Sequence, residues 1–359
     1  MHIYALAIGL LNRGHDVHIV SGGPSDNNSA IKIFADTVEY GVKHHQVGFP
    51  LQSNQRLSGK VKQLYQYITA TPKALYILFT LQPDVIHVHY PVTSYIARIF
   101  CVITGKKFIT THHTSGIPKH PLHKKADYAI AISSDLKNEL HEKFHYNNKQ
   151  ISLIFNGVSK EKFCRTINSN ERLNRKQKLN LPTDKVIIGY LGSFIHRKGI
   201  DILLDASRFL DKEYFHLVLV GDGDSDRVAS IVEKLSLVDN VTLFPYQDPV
   251  KFYEVFDIFT LPSRKEGFPL VSIEAMMMGI PTIRSDVEGA KDQIDHGIDG
   301  YLFKSEDSLE LYKHMHLLIY NDKLRMKIGK KAKVKALNFF SEEIMIEKLL
   351  ELYEKTLRL

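Results

Sequence analysis

Tryptophan is absent from this 359-residue chain, and cysteine occurs only twice, at Cys101 and Cys164. Two thiols so far apart, with no metal-ligand spacing around either, argue against a disulfide framework and against a zinc site. Cys101 lies in an apolar stretch of helical spacing and reads as a small core residue. Long hydrophobic runs are missing too. The longest, Tyr95 to Thr104, is broken by Arg98 and falls well short of the roughly 18 residues a membrane span needs. No signal peptide opens the chain, so a soluble cytoplasmic protein is expected. Gly-x-Gly-x-x-Gly occurs nowhere, which argues against a nicotinamide-dependent dehydrogenase.

What is present is enough for two domains, each with its own core: 44% of residues are hydrophobic. The formal charge is +7 and the isoelectric point near 9.0. Such an excess of Lys and Arg fits attraction to anionic lipid, with the protein peripheral on the inner face of the cell membrane, or to polyanionic substrates. It fits scattered solvated charge equally well. No nucleic-acid partner is expected.

Strand and helix patterns alternate through both halves. Ile3, Leu6, Ala7, Leu10 and Leu11 keep helical spacing up to Gly14, and Asp16 to Ser21 reads as a buried strand. Short strands are expected near Lys32–Phe34 and His45–Phe49, a helix from about Leu57, and a second helix from Pro72 to Leu81. The strands Asp84–His89, Lys107–Thr111, Tyr128–Ile132 and Ile151–Phe155 follow, with helices at Ser94–Ile103 and Ser134–Phe144 between them. The polar segment Ser159–Asp184 reads as a connection. The rhythm restarts with strands at Lys185–Leu191, Phe215–Val220, Val241–Phe244, Ile258–Leu261 and Pro281–Arg284. Three charged amphipathic helices near Ser308–Tyr320, Lys323–Asn338 and Ser341–Leu357 close the chain. This alternation predicts an α/β protein with doubly wound parallel sheets. The domains are expected at 1–160 and 185–338, with a linker at 161–184 and a last helix at 339–359.

The most informative stretch is Ser263 to Gly279, Ser-Arg-Lys-Glu-Gly-Phe-Pro-Leu-Val-Ser-Ile-Glu-Ala-Met-Met-Met-Gly. It follows a strand that ends at Pro262. Pro269 stands where a first helical residue should, and Gly279 with Pro281 beyond it ends the helix. Backbone N–H groups around Gly267, Phe268, Leu270 and Val271 would then point from a helix N-terminus, a natural anion site. Glu266 in the loop and Glu274, about two turns further on, frame it. A bare pair of glutamates eight residues apart marks a solvated helix face; the intervening Gly-Phe-Pro-Leu changes that reading.

The pattern Glu266-Gly-Phe-Pro-Leu-x-x-x-Glu274 resembles the signature of the retaining family-4 glycosyltransferases, the group 1 glycosyl transferases. The resemblance covers nearly the whole chain and implies the GT-B fold, two Rossmann-like domains facing a cleft, with the last helix returning to the first domain. It implies transfer of a sugar from a UDP- or GDP-sugar donor to a carbohydrate or lipid-linked acceptor hydroxyl, with retention at the anomeric carbon. Glu266 would contact the transferred sugar and Glu274 the ribose. Gly192-Ser-Phe-Ile-His-Arg-Lys198-Gly199 leads from a strand end into a helix, so Arg197 and Lys198 would neutralise the diphosphate. The family often has Arg where Ser193 stands, which leaves Arg197, Arg264 and Lys265 as sources of the second positive charge. Thr110-Thr-His-His-Thr-Ser-Gly116 resembles the family's Thr-x-His loop, making His113 the counterpart of the histidine near the donor sugar and His112 its neighbour. Ser193, Gly221 and Tyr246 are weaker candidates, as are Gly289 and Asp292, where Glu288 departs from a common Gly-Gly-x-x-Glu loop. No cofactor or metal is expected, because cations and helix N–H groups can hold the diphosphate.

Other readings remain open: a GT-B nucleotide-sugar epimerase, a phosphorylase, or a non-catalytic partner subunit that binds a nucleotide-sugar. The last rests on the start of the chain. Met1 lies at or just before a helix, and the first strand of a doubly wound domain, with its Gly-rich loop, is not found before Asp16. The expectation is a first domain without its N-terminal strand, the sequence being an N-terminally truncated form or one counted from an internal Met.

Overall fold

The computed structural model describes residues 2–24, 28–49, 57–165 and 167–358; Met1, on which the helix-start expectation falls, lies outside the described residues. The chain divides into two compact units. One comprises Met1–Ile132, Leu136–Ile154 and Met345–Leu359, the other Ser133–Asp135 and Phe155–Ile344.

The first unit runs α1 His2–Leu11, β1 His18–Ser21, α2 Asn28–Glu39, β2 Lys43–Gln46, α3 Leu57–Leu81, β3 Ile86–Val88 and α4 Ser94–Thr104. It continues with β4 Phe108–His112, β5 Tyr128–Ala131, α5 Ser134–Glu142 and β6 Ile151–Leu153. β1 pairs with β2 in a parallel two-stranded sheet, while β3-β4-β5-β6 form a separate parallel sheet. The chain enters α4 at Ser94 and leaves it through Gly105, whose φ of 73° supplies the left-handed stop.

The second unit holds α6 Lys160–Phe163, α7 Ser169–Lys178, β7 Val186–Leu191, α8 Ile200–Ser207, β8 Phe215–Val220, α9 Ser225–Lys234, β9 Val241–Phe244, α10 Val250–Tyr253 and β10 Ile258–Leu261. It is completed by α11 Leu270–Met277, β11 Thr282–Ser285, α12 Ala290–Gln293, β12 Gly300–Phe303, α13 Ser308–Ile319 and α14 Asp322–Phe339. Its six strands form one parallel sheet ordered β12-β11-β10-β7-β8-β9. Renumbered within the unit, that is the doubly wound 3-2-1-4-5-6 order. All six residues of β8 are buried, as expected of a strand covered on both faces.

Four expectations change. Residues 32–34 are not a strand but part of α2, because Ile33, Phe34 and Thr37 turn to one face at helical spacing. The two helices expected before β3 are one, α3, with Pro72 inside it. The carbonyl that loses its donor there is that of Ile68, whose side chain is exposed, so the solvent side of the helix absorbs the break. Residues 161–184 are not a free linker. α7 is capped by the reciprocal Asn168–Glu171 box, and Arg172 and Arg175 pair with Asp257 and Glu254, each at 2.8 Å, which fixes it to the second unit. Finally, α12 and β12 were not foreseen: β12 is four residues long and follows the tight turn at Gly297, too short to show a period.

α15, Glu342–Leu357, belongs to the first unit from Met345 onward. Met345, Ile346, Leu349 and Leu352 pack into one core with Leu6 and Leu10 of α1, Ile109 of β4 and Ile130 of β5. Tyr353 adds a hydrogen bond of 2.7 Å to Nδ1 of His87.

Candidate functional site

The second unit gathers most of the candidates at the carboxyl ends of β7, β8 and β10, where open α/β sheets bind ligands. Close backbone approach builds this rim. Gly221, after β8, lies so near the loop after β7 that an added Cβ would stand 1.9 Å from Gly192 O. Gly199 combines a φ of +68° with Pro262 O at 1.9 Å from the Cβ it lacks, so no other residue fits between β7's loop and β10's.

On this rim Lys198 Nζ lies 2.5 Å from Glu266 Oε1, and Ser263 Oγ donates to the same oxygen at 2.7 Å. Lys198 and Glu266 have side chains only 16% and 8% exposed, so the pair is largely shielded from water. Ser285 Oγ donates to Ser263 O and ties the arrangement to β11. Arg197 is exposed and donates to Lys265 O at 3.0 Å. Arg264 is committed elsewhere: its guanidinium binds Asp201 at 2.7 and 2.8 Å and Glu306 at 2.5 and 2.9 Å. That network removes Arg264 from the choice the sequence left open.

The helix α11 begins one residue later than expected. Pro269 is its extended N-cap with φ −66° and ψ 125°, Leu270 is the first helical residue, and no side chain caps the end. Glu274 lies about one turn into the helix. It is 5% exposed and accepts from Tyr253 Oη at 2.8 Å. Burial raises its pKa to about 7, against the lowering effect of the tyrosine hydrogen bond. The side chain of Phe268 does not line the rim. It stacks on Phe155 with centroids 5.0 Å apart and touches Phe340, so only its backbone faces the helix end. Gly192, Ser193 and Gly221 stand on the rim, and Tyr246 N is held by Asp222 at 3.0 Å.

Several participants were not singled out from sequence. Arg284, on β11, is wholly buried; it donates to Gln293 and to Glu288 O, and burial lowers its pKa to about 10. Ser263 and Tyr253 complete the partners of the two glutamates. The expectation that no Asp-x-Asp motif occurs is wrong, since Asp222-Gly-Asp224-Ser-Asp226 has that spacing. Asp222 holds Tyr246 N, and Asp224 caps α9 by accepting from Arg227 N at 3.1 Å. Among the described residues no group of His, Cys, Asp or Glu is placed to hold a metal ion. Asp292 and Gly289 have structural partners: Asp292 accepts from Ser134 N and Oγ at 2.7 and 2.6 Å, and Gly289 N donates to Asp135 at 2.9 Å.

His112 and His113 belong to the first unit, at the end of β4. His112 is fully buried against the rings of His123 and Phe144, and burial lowers its pKa to about 3. His113 is half-buried, 3.1 Å from Nδ1 of His89 through its Nε2, and burial lowers its pKa to about 4. Both imidazoles are neutral at pH 7.

Residues 171–335 match the family described as glycosyl transferases group 1, and residues 1–162 match glycosyltransferase family 4. The capsular polysaccharide biosynthesis glycosyltransferase CapM of Staphylococcus aureus is 30% identical over 238 residues, 64% of this chain and 62% of that protein. The N-acetyl-alpha-D-glucosaminyl L-malate synthase of Bacillus anthracis is 24% identical over 97% of this chain and 91% of its own length. In fold the chain resembles the Anabaena protein HepE, solved in complex with UDP, with a TM-score of 0.83. That likeness covers 99% of this chain and 95% of HepE at 17% identity.

Proposed function

The chain belongs to the glycosyl transferases of group 1 and family 4 and has their GT-B fold, and from that premise we propose that it moves a hexose-type sugar from a nucleotide diphosphate donor to an acceptor hydroxyl with retention of configuration. The observation that carries this reading is the shielded Lys198–Glu266 pair beside the uncapped start of α11. A donor diphosphate arriving there finds Lys198, the exposed Arg197 and the helix N–H groups, and neutralises their charge. Glu266, released from Lys198, accepts from the sugar hydroxyls. Glu274 accepts from the ribose. His113, a neutral imidazole at the end of β4, is a candidate to hydrogen-bond a sugar hydroxyl.

The step is a same-face displacement. The bond from the anomeric carbon to the phosphate oxygen breaks as the acceptor oxygen bonds to that carbon, and the acceptor's proton passes to the departing phosphate oxygen. Lys198 and Arg197 stabilise the charge that develops on the leaving group, so no metal is invoked. UDP is the favoured nucleotide because HepE is solved with it. A glycan acceptor accords with the naming of CapM; a lipid-linked acceptor is what the sequence resemblance implies.

The experiment is release of free nucleoside diphosphate from a panel of UDP- and GDP-sugars, with and without acceptor alcohols, in chelator. Release that depends on acceptor is expected. Glu274→Gln should weaken donor binding by on the order of 1.5–3 kcal/mol, the value of a hydrogen bond to a charged group. Glu266→Gln and Lys198→Ala should lower turnover more than affinity. Donor affinity and rate unchanged in all three variants would sink the assignment. Release only with added magnesium or manganese would overturn the account of the diphosphate.

A further inference from the structure

The entire positive excess of the chain lies in residues 40–126. That stretch holds eleven Lys and Arg and a single acid, Asp84, while the other 272 residues carry 36 basic and 39 acidic side chains. α3 and α4 both come from it, and neither contains an Asp or Glu. They lie side by side in the first unit: Ala70 and Ala74 of α3 share a core with Ile96 of α4, and one turn further along Phe79 meets the ring of Phe100 at 5.0 Å.

α4 buries Ile96, Ala97, Phe100 and Cys101, which leaves Ile99, Val102 and Ile103 on its outer face. Val102 is 73% exposed and Ile103 65%. On α3, Tyr76 is 73% exposed, and Phe79 is exposed beside it. Lys73 is exposed one turn before Tyr76, and Lys106, just past the end of α4, is held by the carbonyls of Gln82 and Pro83 at 2.9 and 2.7 Å. The result is a band of outward apolar side chains edged by cations and free of carboxylates on its own helices.

We propose that this α3–α4 face docks the protein on an anionic lipid bilayer. Tyr76, Phe79, Ile99, Val102 and Ile103 enter the boundary between headgroups and acyl chains, and Lys73 meets lipid phosphates. A folded protein partner would need matching pockets for each apolar side chain, whereas fluid acyl chains accept an uneven row of them. The acid depletion extends well beyond the band, as attraction to an extended negative surface favours and a local contact does not require. No described helix is long and apolar enough to cross a membrane. The inference deepens the transfer reading, on which its purpose rests, by placing a lipid-linked acceptor within reach of the enzyme.

The test is co-sedimentation of the whole chain, without donor, with vesicles of phosphatidylglycerol and phosphatidylethanolamine, against phosphatidylcholine alone. At least tenfold preference for the anionic vesicles is expected, falling in high salt as surface charge is screened. The double variant Val102→Glu with Ile103→Glu should lose tenfold or more of that binding. Tyr76→Glu, on the other helix, should reproduce much of the loss. All are exposed positions, and unchanged melting and nucleotide binding would show that the fold is intact. Wild-type protein that ignores anionic vesicles, or variants that bind as well as wild type, would overturn the proposal. So would a dimer that the variants dissociate, since the face would then belong to a second copy. Because vesicle binding is read without donor, a failure of sugar transfer leaves this result standing.

Discussion

The second unit carries one continuous six-stranded sheet, whereas the first carries a two-stranded and a four-stranded sheet with no described strand joining β1 to β3. The difference is visible strand by strand. β7, central in the second unit, is buried from its second residue onward, while all four residues of β1 are only half-buried. A parallel strand is enclosed when neighbours bind both of its edges and helices cover both of its faces. Function follows the same line. Gly192, Lys198, Gly221 and Glu266 hang from β7, β8 and β10, and His112 and His113 from β4, each a strand with a partner on either side. β1 and β2 bear none of the candidates. Among the site residues only Tyr246 follows an edge strand, β9.

The largest test of this contrast acts on the helix that completes the first core. Leu349 is 2% exposed among Leu6, Leu10 and Ile130. Leu349→Ala should cost about 2–5 kcal/mol, as large-to-small changes in packed cores do. Differential melting, or hydrogen exchange resolved by unit, should show the loss in the first unit. Nucleotide affinity, which the proposed site places in the second unit, should hold. A loss of affinity as large as the loss of stability would mean that the two units do not behave separately.

Much of this could be read from the chain, and the limits have physical causes. In the second unit β8, β9 and β10 were placed to the residue because apolar runs stand between clear turn signals, Gly221-Asp222-Gly223 among them. β12 escaped because four residues after a tight turn show no period. α2 was misread because the alternation Ile31-Lys32-Ile33 mimics the period of a strand. The glutamates and Lys198 were legible in a local motif, but Ser263 and Tyr253 were not, since their roles depend on contacts that spacing alone does not give. Arg264 shows the reverse case. Its charge was visible, and its commitment to Asp201 and Glu306, residues 63 and 42 positions away, was not.

A second way to sharpen the contrast is native-state hydrogen exchange. Amides of β7 and β8 should exchange at least tenfold more slowly than those of β1 and β2, since strands with an open edge in a two-stranded sheet open locally at lower cost. Equal protection would show that β1 and β2 are as firmly held as the continuous sheet, and the burial difference would then carry no energetic meaning.

The smallest effect is a divergence of the two units with pH, and its sign can be worked out group by group. In the first unit burial holds His112 and His113 at about 3 and about 4, and it lowers His44, His45 and His123 as well. The unfolded chain protonates its histidines near pH 6.5, so below that value the unfolded state binds more protons and this unit loses stability as pH falls. In the second unit burial raises Glu274 and Glu342 to about 7. There the folded state holds the extra protons, so that contribution is full below about pH 4.5 and is lost as pH rises through 7. His216, lowered to about 4 by burial, and His314, which burial also lowers, oppose it. Going from pH 7.5 to 5.5 should therefore weaken the first unit relative to the second, by on the order of 1 kcal/mol for each of the deeply buried His112 and His113. Glu274→Gln should flatten the second unit's response and leave the first unit's intact. Parallel shifts of both units, or a response indifferent to Glu274, would show that the buried histidines and glutamates do not set the balance.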